Sequence, residues 1–65
     1  MSQRVKITSE MIESSERNHG FSPYRRWIPN NGTWIVQTAT HADRVGGRDI
    51  RIEWDPHERR VPMSQ

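Results

Sequence analysis

Residues 24–54 read YRRWIPNNGTWIVQTATHADRVGGRDIRIEW, and the way this stretch pairs with itself decides the fold. It holds all three tryptophans of the chain and two glycine turn signals, Asn31-Gly32 and Gly46-Gly47. Asn-Gly between apolar runs is the strongest short-range hairpin signal. A two-residue turn there sets Asn30 against Thr33, Ile28 against Ile35 and Trp27 against Val36. Thr33 to Thr40 is rich in β-branched residues and reads as a strand. Arg48 to Trp54 alternates, with Ile50, Ile52 and Trp54 on one side and Asp49, Arg51 and Glu53 on the other.

Two registers compete for that last strand. A tight turn on Gly46-Gly47 sets Ile50 against Asp43 and Ile52 against His41, which mixes both faces. A looser connection pairs Thr38 with Ile50, Val36 with Ile52 and Trp34 with Trp54. A slip of one residue flips every side chain, so the hydrophobic pattern selects the looser pairing and makes His41 to Gly47 a loop tip. Trp27, Trp34, Val36, Ile50, Ile52 and Trp54 then form an inner layer. Tyr24, Arg26, Gln37, Asp49 and Arg51 line the outer face, with Arg26, Gln37 and Arg51 in one cross-strand row.

Upstream, Val5-Lys6-Ile7 reads as a short edge strand. Thr8 or Ser9 caps a helix from Ser9 to about Arg17, with Glu10 and Glu13 in its first turns, where the macrodipole favours acids. Asn18-His19-Gly20 stops it. Tyr24 to Ile28 admits two readings. As a helix it would give the order strand, helix, helix, hairpin, a winged-helix-like arrangement. Pro29 would end such a helix after about six residues, and the strand is the reading adopted. The expected fold is therefore a small α+β domain over residues 1–56, one N-terminal helix on a three-stranded antiparallel β-meander. A polar C-terminal tail, residues 57–65, follows it.

At 65 residues, a fold of this size buries only about 60% of the surface its unfolded chain exposes. Mean hydropathy is −1.03, yet each of the five aromatic side chains can bury about 150–250 Å². The chain contains no cysteine, so no disulfide framework or thiolate metal site is expected. No run resembles a signal peptide or a membrane span, which sets a cytoplasmic location as the expectation, with no membrane partner.

The net charge is +2. Acids and bases balance in residues 1–20, in 33–54 and in the tail, so the excess sits on Arg25-Arg26, between Tyr24 and Trp27. A global cationic field is absent, and any preference for anions must come from local arrangement.

His19, His41 and His57 have no metal-ligand spacing, and no nucleophile motif or glycine-rich phosphate loop occurs. A domain this small also has little room for a desolvated pocket. No catalytic residue, cofactor or metal is expected. The chemistry that remains is recognition. Arg26, Arg51 and Gln37 suit base edges and phosphates, Tyr24 can stack, and Arg44 and Arg48 flank the adjoining loop. The expected function is a non-enzymatic protein that binds nucleic acid through the polar face of its sheet. The alternative is a regulator or inhibitor that docks on a larger protein, because arginine and tyrosine are also what protein interfaces favour. The oligomeric state is not readable from the sequence.

Overall fold

A computed structural model describes residues 1–64. The elements follow in the order β1 (Ser2–Lys6), α1 (Ser9–His19), β2 (Arg25–Asn30), β3 (Thr33–Val45), β4 (Arg48–Trp54) and β5 (Arg59–Pro62). The protein is α+β, with one helix and a five-stranded antiparallel sheet where the sequence suggests a three-stranded meander. The difference comes from β3. It is 13 residues long, and every other strand pairs with it. Its first half is flanked by β2 and β5, its second half by β1 and β4.

The first hairpin forms in the expected register, with Asn30 opposite Thr33, Ile28 opposite Ile35 and Trp27 opposite Val36. Residues 25–30 are strand, not helix. Asn31 and Gly32 both have positive φ, 49° and 78°, as a type I′ turn requires.

The second hairpin corrects the register inferred from the sequence. Gly46 and Gly47, with φ 58° and 81°, form the tight turn, and Val45 faces Arg48. His41 to Val45, read as part of a loop tip, is strand. The mixing of faces that argues against this turn is removed by a β-bulge. Arg44 faces Asp49 and Asp43 faces Arg51, so Ile50 is the extra residue and is 65% exposed. Past the bulge, Ile52 meets Ala42. The bulge thus places Ile52 over the core and sets two arginines against two carboxylates, at the cost of one exposed isoleucine. A second irregularity, at Thr40, lets both Ala39 and Ala42 point into the core, at 4% and 1% exposure. The Thr40 hydroxyl donates to the Glu53 carbonyl at 3.3 Å there.

The helix begins and ends on local chemistry. The Thr8 hydroxyl accepts from the Met11 amide at 3.3 Å, and Gly20 closes the last turn with φ 83°, a conformation open to glycine. Met11 and Ile12 pack with Ile7, Tyr24, Ala39 and Ala42, joined by Val5, Ile52 and Trp54. No residue from 26 to 37 belongs to this cluster. The helix therefore covers the β1–β3–β4 half of the sheet, on the face that carries Tyr24. The alternation of the sequence places Tyr24 outside and Trp27 and Ile50 inside, and the structure reverses all three: Tyr24 is 8% exposed, Trp27 49% and Ile50 65%.

The segment read as a polar tail contributes β5, whose residues Arg59 to Pro62 face Val36 to Thr33. Its last residue, Gln65, lies outside the described residues. The molecule measures 44 × 25 × 15 Å, so the β2–β3–β5 half extends as a thin ribbon beyond the helix-covered half.

Candidate binding surface

Among the described residues there is no enclosed cavity and no cluster of three or more His, Asp or Glu placed to hold a metal ion. What the molecule offers a ligand is therefore surface, and its character follows from which side chains are already engaged.

Tyr24 and Arg44 are engaged with each other. The Tyr24 hydroxyl donates to Asp49 Oδ2 at 2.5 Å and accepts from Arg44 Nη2 at 3.2 Å. Arg44 Nε donates to Asp49 Oδ1 at 2.7 Å. The hydrogen bond from Arg44, and then that from Tyr24, holds the Asp49 carboxyl below the ordinary carboxylate range. Burial, and after it the bond to Asp49, pushes the Tyr24 phenol up. With its ring in the core, Tyr24 presents no stacking face.

Arg26 and Gln37 lie opposite each other, as the hairpin register requires, and Arg26 Nε donates to Gln37 Oε1 at 2.7 Å. The Arg26 guanidinium also sits 4.2 Å from the centroid of the Trp54 ring, a cation–π contact. Gln37 in turn donates to Glu58 at 3.1 Å. The expected third member of this row is elsewhere. Arg51 faces Asp43 in the other half of the sheet, 3.5 Å from its carboxylate. Arg48 is exposed beside the Gly46-Gly47 turn.

Further ion pairs join Arg4 to Glu53 and Arg25 to Glu16. The Arg4 bond holds the Glu53 carboxyl below its ordinary value. His41 Nδ1 lies 3.2 Å from Glu53 Oε1, out of hydrogen-bond alignment and shielded from solvent. Four arginines and four carboxylates are thereby matched. Among the described residues, the cations left without a carboxylate partner on strands are Lys6, Arg26, Arg48, Arg59 and Arg60. The acids left near the sheet are Asp55 and Glu58, in the β4–β5 link, while the helix keeps Glu10 and Glu13 against Arg17. The charge is thus polarised, with the sheet positive and the helix negative.

The sequence reading missed Arg59, Arg60 and the exposure of Trp27. Directly paired residues project to one face, so Trp27, Val36 and Arg59 form one cross-strand row. Trp34 lies on the same face, between Pro29 and Val61. The Trp27 and Trp34 rings meet edge to face, with centroids 6.5 Å apart and planes at 88°. Ile28, Ile35 and Arg60 form the neighbouring row on the opposite face. The signal for β5 was the Arg59-Arg60-Val61-Pro62 run itself, whose pairing becomes visible once β3 is known to have a free edge. No protein-family model, curated protein or solved structure matches this chain.

Proposed function

We propose that the protein acts by binding, without catalysis, and that its ligand is nucleic acid held on the strand-borne cations. The observation that carries this reading is the sorting of charge. Ion pairing matches four arginines within the fold, and the unmatched ones concentrate on the sheet, with Arg59 and Arg60 projecting from opposite faces of the same edge strand. Contacts from arginine to phosphate release condensed counterions, and that release provides sequence-independent affinity. The ribbon carrying them is thin and open on both faces, so a polyanion has access to Arg59 from one face and to Arg60 and Arg26 from the other.

The test is an electrophoretic mobility shift at several salt concentrations. Two to three phosphate contacts predict that log K falls with log salt at a slope of about −2 to −3. Absence of any shift at about 50 mM salt overturns the reading. The regulator reading draws on one specific observation, an exposed tryptophan, Trp27, in the same cross-strand row as Arg59, which has no carboxylate partner among the described residues; these residue types dominate protein hot spots. A partner protein that survives nuclease treatment in a lysate pull-down, together with no shift on nucleic acid, would favour it.

A further inference from the structure

We infer that Trp27 and Trp34, with Arg59 at their rim, form a stacking site for the unpaired bases of a single strand. This rests on the nucleic-acid reading above and adds the class of ligand.

The backbone edges of the ribbon are poor docking sites. In a two-residue hairpin the residues flanking the turn exchange hydrogen bonds, so the amides of Asn30, Ile28 and Arg26 point at β3. The Ala39 amide bonding the Tyr24 carbonyl at 2.8 Å fits that phase. Arg25, Trp27 and Pro29 therefore point outward. Pro29 has no amide proton, and the Arg25 amide is taken by the Ser22 carbonyl at 3.3 Å. On the other edge, the Met63 amide bonds the Gly32 carbonyl at 3.0 Å, which turns Arg60 and Pro62 outward, and Pro62 again donates nothing. Each edge retains one free strand amide, that of Trp27 or that of Arg60. Adding a further strand needs a row of donors, so recognition falls to the side chains.

Towards the Asn31-Gly32 turn the Trp27 face is apolar, with Pro29, Trp34, Val36 and Val61, while Arg25 and Thr38 lie on the other side of Trp27. A duplex shows its surroundings phosphates and groove edges and keeps its base faces stacked inside. Such a surface gains little from a duplex and much from exposed bases, whose faces stack on aromatic rings whatever the sequence. The right angle between the two rings also prevents both from stacking within one continuous column of bases. The ligand that fits is a strand with bases splayed apart. Arg59 stands two strand spacings from Trp27, about 10 Å, where it can meet a phosphate flanking the stacked base.

Fluorescence anisotropy of a labelled oligothymidylate of about twelve nucleotides, beside a duplex of the same length, tests this at about 50 mM salt. The single strand is expected to bind more tightly. Trp27→Ala should weaken single-strand binding about tenfold and leave duplex binding nearly unchanged, while Trp27→Phe retains most of the affinity. Should the alanine variant melt early, Trp27→Leu keeps apolar area without a π face, and the same loss is expected in it. Binding that persists with no preference for the single strand, or with no loss in a folded Trp27 variant, overturns the stacking site and leaves the nucleic-acid reading standing. No binding of either ligand overturns both.

Discussion

Tyr24 shows how a residue suited to recognition can be consumed by the fold. A tyrosine beside two arginines offers a ring and a donor, but its ring fills the space between helix and sheet and its hydroxyl is split between Asp49 and Arg44. Tyr24→Phe keeps the ring and removes both bonds. The expected loss is about 1–2 kcal/mol, since hydrogen bonds to charged groups contribute more than neutral ones, measured by urea denaturation. The titrations give a sharper signature. A carboxyl held low in the folded state contributes stability above its unfolded value of about 3.9, lost as pH falls through the folded value. Asp49→Asn should flatten the acid limb of the stability profile, leaving the part due to Glu53, whose carboxyl Arg4 also holds low. The Tyr24 phenol, raised by burial, contributes below its unfolded value of about 10 and loses that contribution as pH rises through the folded one. Tyr24→Phe should remove this alkaline limb in the same denaturation series.

At the scale of elements, the β-bulge at Ile50 separates the inferred hairpin from the observed one. The alternation of Ile50, Ile52 and Trp54 is real, but it describes a face only if the ladder is regular. The bulge breaks the ladder and removes Ile50 from the face that Ile52 and Trp54 share. Ile50→Ser should therefore change stability by no more than about 0.5 kcal/mol, whereas Ile52→Ala should cost about 2 kcal/mol; equal effects in urea melts would restore the regular register. The turn signal was present but outweighed: two consecutive glycines favour the pair of positive φ values that the two-residue turn uses, yet the alternation of Ile50, Ile52 and Trp54 favoured the looser connection. β5 was hidden because a four-residue strand has almost no periodicity to read. Ending the chain after Glu58 should lower Tm by at least about 4–8 °C, the shift that about 1 kcal/mol produces in a domain of this size. That outcome would show β5 to be part of the folded unit.

For the whole molecule, the balance of surface is informative. The chain exposes 5004 Å², against about 4,300 Å² for a compact monomer of this mass. The excess belongs to a shape 15 Å thick along its shortest axis, in which half the sheet has no covering layer. Ile35 and Val36 are buried there, yet stand outside the helix-sheet core. A ligand on this ribbon would add the missing layer, and binding to the native state alone would raise Tm with ligand concentration. Because Arg59 and Arg60 have no carboxylate partner among the described residues, the double variant Arg59→Gln, Arg60→Gln should melt near the parent. Its log-log salt slope for nucleic-acid binding should be shallower by about 2. An unchanged slope would place the phosphate contacts elsewhere on the sheet.

The sequence alone determined those features whose physics is local. Asn31-Gly32 favours positive φ and so sets the first hairpin and its register, Thr8-Ser9 marks the start of the helix, Gly20 ends it, and Pro29 argues against a helix over residues 24–28. The tertiary structure decided everything that depends on which face the helix covers. Two bulges shift the phase of β3 and β4, bringing Ala39, Ala42 and Ile52 under the helix and turning Ile50 away. Sequence periodicity cannot register an unpaired extra residue, because a bulge is a property of two strands together. The same choice of face buried Tyr24, left Trp27 at the surface, and moved the candidate binding residues from the polar row to the aromatic one.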